Sequence, residues 1–211
     1  MRPDLVNDLL QLTGEHLVLV LSAMAVAMLI GVPLGILLTR RAVLRQWLLG
    51  LASVMQTIPS LALFGFLIPI PFIGGIGKRT VIIALVLYAL LPILRNTFVG
   101  IMSVDAAVCE SAIAMGMTSG QMLRQVQLPL AAPTILAGVK TAAVINVGTA
   151  TMAAFIGAGG FGERIVAGLA VNDSTVMLAG AVPAAVLAIV VQVGFDLAER
   201  WAGGARFAGR S

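Results

Sequence analysis

The sequence predicts an all-α membrane protein of about five transmembrane helices with a helix–Gly–helix elbow on the cytoplasmic side. Hydrophobic residues make up 60% of the 211 positions and charged residues 10%, where a soluble domain carries about 25% charged residues. The apolar residues gather in five runs, each near the ~20 residues needed to cross a bilayer core. Between the third and fourth runs, the polar segment 105–130 carries the start and stop signals of two short helices.

The first run, 16–38, follows Asp4, Asp8 and Glu15 rather than a basic stretch. It is too long for a cleavable signal and reads as a span. Its Gly31 and Gly35 have the spacing for close helix packing, expected within the chain. The second run, 46–70, holds Pro59 among Gln56, Thr57 and Ser60. The third, 80–102, closes near Arg95 and Asn96. The fourth, 133–157, carries Lys140, expected to stretch its amine toward the cytoplasmic surface, then Asn146, Thr149 and Thr151. The fifth, 174–196, ends beside Asp196 and Glu199, expected in solvent. Pro33, Pro59, Pro92 and Pro183 lie inside four of these runs. Such breaks are tolerated where neighbouring helices or a wet cavity satisfy the freed carbonyls. Polar groups facing lipid are costly. Gln56, Thr57, Ser60, Asn146 and Thr149 therefore either bond between helices or line a translocation path.

The elbow follows from capping chemistry. Asp105 suits an N-cap. Gly116 suits the left-handed residue that ends a helix. Thr118 and Gln121 have capping-box spacing. Pro129 and Pro133 are expected to limit how far the second helix runs. Met122, Leu123, Val126 and Leu130 share one face of it. With the N-terminus outside, Arg40, Arg41, Arg45, Arg95, Arg124, Arg200, Arg206 and Arg210 lie inside, against Arg2, Lys78, Arg79 and Arg164 outside. That asymmetry puts the elbow and the C-terminus in the cytoplasm. Trp47 and Trp201 then sit at cytoplasmic span ends. The net charge of +4 is explained by these arginines and calls for no nucleic acid.

Several chemistries are disfavoured. Gly157-Ala-Gly-Gly-Phe-Gly162 matches a dinucleotide fingerprint, but an apolar helix precedes it where a strand is required. Gly157, Gly159, Gly160 and Gly162 read instead as a flexible break or as an external gate. Lys78 follows Gly77, yet Phe72 and Arg79 break the Walker pattern, so ATP hydrolysis belongs elsewhere. One cysteine, Cys109, and one histidine, His16, provide neither a disulfide nor a metal cluster. No catalytic constellation is visible. A secondary transporter would need repeats or an ion-coupling site, and neither is seen.

Glu110, Ser111, Ala112, Gly116, Val126, Leu128 and Pro129 resemble the cytoplasmic loop of ABC-importer permeases. That pattern is Glu-Ala-Ala, three residues, Gly, nine residues, Ile-x-Leu-Pro, with Ser111 and Val126 as mild departures. Segments 55–64, 92–97 and 148–162 resemble the branch that imports osmoprotectants such as glycine betaine, choline and carnitine. Methionine and other amino-acid importers share the core and the elbow. The resemblance implies a type I importer fold over a single permease domain, 1–211, in a bacterial inner membrane. It further implies a second permease copy or sister chain and an extracytoplasmic solute-binding protein. A cytoplasmic ATPase dimer would hold ATP and Mg; no cofactor is expected in this chain. Glu110 would meet a basic group on the ATPase, Gly116 would allow the bend, and Met122, Leu123 and Val126 would fill its groove. With no aromatic cage in view, high-affinity recognition is expected in the binding protein.

Overall fold

The computed structural model describes residues 3–71 and 74–207, with side chains described from 7 to 71 and from 74 to 199. Arg2 and Arg210, and the side chains of Arg200, Trp201 and Arg206, lie outside that description. In order, the helices are α1 (Pro3–Leu38), α2 (Ala42–Thr57), α3 (Ser60–Leu67), α4 (Lys78–Met102), α5 (Ala106–Ala114), α6 (Ser119–Met122), α7 (Leu128–Thr149), α8 (Gly162–Ala170) and α9 (Ser174–Phe207).

Glycines set the helix register. Gly31 faces Leu90 and Ile93, and Gly35 faces Leu94 and Thr97, so α1 and α4 run parallel. A Cβ on Gly35 would lie 2.6 Å from that of Thr97; only glycine permits this approach. Gly100 faces Ala131 and Thr134, and Gly138 faces Pro92 and Asn96, so α4 and α7 are antiparallel. Leu19, Ala23 and Ala27 of α1, Leu85, Ala89 and Ile93 of α4, and Ala142, Ala143 and Val147 of α7 form the buried centre. Small side chains at such crossings let backbones approach where lipid offers no hydrophobic drive.

The second run is not one helix. α2 and α3 meet at a bend of 108°. Pro59 forces Ile58 into an extended conformation, φ −74 and ψ 125, and removes a helix donor. The pair still accounts for one crossing. Arg45 at its start sits over the Phe98 ring, 5.0 Å from the centroid, near the end of α4. Gln56 bonds the carbonyl of Tyr88, midway along α4. α3 then reaches the 3₁₀ segment 150–156 at the far end of α7. Because α1 and α4 are parallel, the chain between them must return across once, and this broken pair does so.

The elbow's second half also departs from expectation. It does not stop at the prolines. Residues 119–156 form one continuous rod of 38 residues. A π turn over Leu123–Gln127, closed by Leu128 N–H on the Leu123 carbonyl, precedes Pro129. A proline ring clashes with the carbonyl four residues earlier; the wider turn displaces that carbonyl, and the helix continues.

Two charge placements are corrected as well. Lys140, Asp196 and Glu199 are partly exposed, and they are paired with one another. Lys140 Nζ lies 2.9 Å from Asp196 Oδ1 and 3.0 Å from Glu199 Oε2. The three charges, partly exposed on the side of the bundle, join α7 to α9.

Candidate functional site

Three places gather the candidate residues: the elbow, the break between α2 and α3, and the N-terminal half of α1. In the elbow, Asp105 Oδ1 accepts from Ala107 N–H at 2.9 Å and caps α5. At the other end Gly116 has φ +82. Its N–H donates to Ile113 O at 2.9 Å, and Met117 N–H donates to Ala112 O at 3.1 Å. These two bonds form a Schellman closure, which needs a left-handed residue where Gly116 stands. Thr118 and Gln121 form the reciprocal capping box that opens α6.

Glu110 is exposed, Ser111 donates its hydroxyl to Ala107 O at 2.8 Å, and Ala112 is buried. Met122, Leu123, Val126 and Leu128 are half-buried, and Pro129 is exposed. The apolar side chains that α5 and its cap present outward are Val108, Ile113 and Met115, at 41%, 60% and 72% exposure. Sequence reasoning missed these three, because it weighed the second elbow helix for its apolar face and not the first. Large apolar residues at Val108, Ile113 and Met115 within a short polar-flanked helix are the signal that could have found them.

At the break, Gln56, Ser60 and Thr149 come together. With Ile58, Pro59, Tyr88 and Ile145 they line a cavity of about 340 Å³. Tyr88, not singled out for the path from sequence, holds the break. Its hydroxyl donates to the Ile58 carbonyl, and its carbonyl accepts from Gln56 Nε2 at 2.9 Å. Thr57 is exposed beside them, its hydroxyl on Val54 O at 2.7 Å. Asn146 is elsewhere. It is fully buried and turned to α1, with Nδ2 3.5 Å from Met24 Sδ.

The glycine segment is not a loose break. Gly157, Gly159 and Gly160 have φ of +66, +88 and +85, a backbone that other residues rarely adopt. Ala158, between them, and Phe161, after them, are buried. Gly160 N–H donates to Glu15 Oε2 at 3.1 Å. His16 lies under the same loop, its ring 4.9 Å from that of Phe161 and its Nε2 3.1 Å from Val147 O. Gly162 is packed on the Thr151 carbonyl, which leaves no room for a side chain. Two turns earlier on α1, Asp8 pairs with Arg164 at 2.5 Å. The loop after α7 is thus clasped to the start of α1, at the end of the bundle opposite the elbow.

A family model described as "binding-protein-dependent transport system inner membrane component" matches residues 31–203. The chain is 43% identical over 194 residues to a choline transport system permease protein of Bacillus subtilis, covering 92% of this chain and 88% of the relative. It is 46% identical over 175 residues to a carnitine transport permease protein of Listeria monocytogenes, covering 82% and 77%. An osmoprotectant import permease protein of Salmonella typhimurium is 44% identical over 190 residues, covering 89% and 88%. Among solved structures, an inward-facing MetNI methionine ABC transporter chain superposes with a TM-score of 0.84 at 25% identity, covering 96% of this chain and 99% of that one.

Proposed function

The chain belongs to the family of binding-protein-dependent transport system inner membrane components, and from that premise we propose that it forms the translocation path of an ATP-driven osmoprotectant importer. The cargo is a compound such as glycine betaine, choline or carnitine. Support for the cargo comes from relatives at 43% and 46% identity that are named for choline and carnitine. The methionine transporter, at 25% identity, supports an amino-acid cargo less.

The observation that carries the mechanism is the elbow. α5 is a short helix capped at both ends, turned out of the bundle by Gly116, with Val108, Ile113 and Met115 uncovered. A short protruding helix with uncovered apolar side chains suits a groove on a partner. We assign that partner as a cytoplasmic ATPase dimer, which binds ATP and Mg and supplies the energy. Glu110 faces outward beside the apolar residues, placed to meet a basic group. Because α6, the π turn and α7 form one rod, displacement of the elbow travels to the 3₁₀ segment and the glycine clasp. The clasp then serves as the external gate, under which an extracytoplasmic binding protein delivers solute. A second copy of the chain, or a sister chain, completes the path. In this orientation the N-terminus is outside and the C-terminus cytoplasmic, in a bacterial inner membrane.

The test is uptake of labelled choline and glycine betaine in a transporter-deficient bacterium that expresses this chain with its ATPase and binding protein. Uptake that requires all three parts establishes the reading. Normal assembly with uptake of neither compound moves the cargo to another solute.

A further inference from the structure

The corner between α1 and α2 places two arginines at the head of an apolar trough. Arg40 and Arg41, with Leu37, Val43, Leu44 and Trp47, line a cavity of about 640 Å³. Trp47 also lines the next hollow along α2, of about 520 Å³, with Gly50, Leu51 and Val54. Val43, Trp47, Leu51 and Val54 recur at helical spacing, and they are 74%, 74%, 59% and 56% exposed. From Val43 to Val54 the stripe runs roughly 16 Å at the helical rise. That is close to the hydrocarbon depth of one leaflet, about 15 Å. The arginines have no counter-charge. No aspartate or glutamate occurs between Glu15 and Asp105, and among the described residues no ion pair engages Arg40 or Arg41. The end of α1 and the start of α2 meet here with opposite dipoles, which offset one another. The two full charges therefore set the sign of the corner.

Arginines beside a span follow from orientation alone. A pair of them heading an apolar trough one leaflet deep calls for more. We infer that this trough docks one anionic glycerophospholipid of the phosphatidylglycerol type. Its phosphate sits between Arg40 and Arg41, whose planar guanidiniums match phosphate oxygens in pairs. An acyl chain lies along Val43, Trp47, Leu51 and Val54. Phosphatidylcholine and phosphatidylethanolamine bring an ammonium that the arginines repel, so charge selects the anionic lipid. A second copy of the chain docked by the same face would set arginine against arginine. Arg45 sits on Phe98 near the end of α4, which leads into the elbow. The lipid therefore belongs to the leaflet on the elbow side, the cytoplasmic one in the orientation proposed above. The inference stands on the membrane fold and is independent of the cargo.

Trp47 is the reporter for the test. The chain has two tryptophans, so the full chain carrying Trp201→Phe isolates its fluorescence. That protein is reconstituted into vesicles of equal phosphatidylglycerol and phosphatidylcholine, with bromine on the acyl chains of one lipid or the other. Bromine quenches tryptophan on contact. The expected result is severalfold stronger quenching by brominated phosphatidylglycerol. Arg40→Gln with Arg41→Gln should abolish the difference, and Arg40→Lys with Arg41→Lys should keep most of it. Raised salt should weaken it. Both arginines are exposed, so the melting midpoint should not move; if it does, the salt dependence with both arginines intact decides. Equal quenching by the two lipids with the arginines intact means ordinary lipid contact and overturns the site. Quenching by neither means that protein covers the face, a second copy or another subunit, and overturns it too. A preference that survives in the folded glutamine pair, or that salt leaves unchanged, shows that the arginines do not hold the headgroup and likewise overturns it.

Discussion

Lys140 of α7 donates to Asp196 of α9 at 2.9 Å, and the same ammonium reaches Glu199 at 3.0 Å. α9 otherwise presents large aliphatic residues such as Val186, Ile189 and Val190 to its surroundings. The charge cluster ties it to the middle of α7. Lys140→Met leaves two carboxylates side by side with no cation. The thermal unfolding midpoint of the purified protein in detergent should fall. Adding Asp196→Asn and Glu199→Gln should recover most of the loss, because the repulsion goes with the charges. A triple variant that melts no higher than Lys140→Met would show that the loss does not come from uncompensated carboxylates.

Gly138 and Gly50 give opposite expectations for the same substitution. A Cβ on Gly138 would stand 2.7 Å from the Pro92 carbonyl oxygen, whereas Gly50 has nothing within 4 Å. Gly138→Ala forces α4 and α7 apart and should destabilise by about 1–3 kcal/mol. Gly50→Ala removes backbone freedom from α2 and should stabilise by up to about 1 kcal/mol. Thermal melting of both variants checks the assigned register, and equal midpoints would contradict it.

Gly116 separates backbone strain from docking. Its φ of +82 makes a non-glycine residue strained, but a Cβ there meets nothing within 4 Å. Gly116→Ala should therefore cost the fold only about 1–2 kcal/mol. Asn tolerates the left-handed region, so Gly116→Asn should keep most transport. Gly116→Asp is expected to insert normally yet lose coupling, since its carboxylate projects into the partner's space. Uptake, with ATPase activity stimulated by loaded binding protein, reads the difference. Normal transport by Gly116→Asp would remove the elbow from the coupling path.

The sequence makes the elbow legible because capping is local. Asp105, Gly116, Thr118 and Gln121 each act within a few residues, and each has the predicted role. The spans are legible for the same reason, as unbroken apolar runs. The break at Pro59 is only half legible, since a mild kink and a turn of 108° are written with the same proline. The π turn before Pro129 has no residue signature; it arises from fitting two prolines into a rod that packs on both sides. The pairing of Lys140 with Asp196, 56 residues on, and of Glu15 with Gly160, 145 residues on, follows from helix register in three dimensions. Hydropathy places such residues in depth but does not say which faces meet. Asn146 shows the cost, because its depth matches the path while its face belongs to α1.

The clasp of Glu15 to the glycine loop can be locked directly. A Cβ at Gly159 would lie 3.6 Å from that of Glu15, inside the range a disulfide spans. Glu15→Cys with Gly159→Cys, in a Cys109→Ser background, should therefore oxidise within one chain. Gly159 has φ +88, so the reduced variant will be somewhat less stable, and Gly159→Cys alone serves as its control. If the loop must leave α1 for solute to enter, uptake should stop on oxidation and return with reductant. ATPase activity in the absence of binding protein should change little, because the elbow lies at the opposite end of the rod. A cross-linked transporter that runs at the reduced rate would mean that the clasp stays shut throughout transport, and that the gate lies elsewhere.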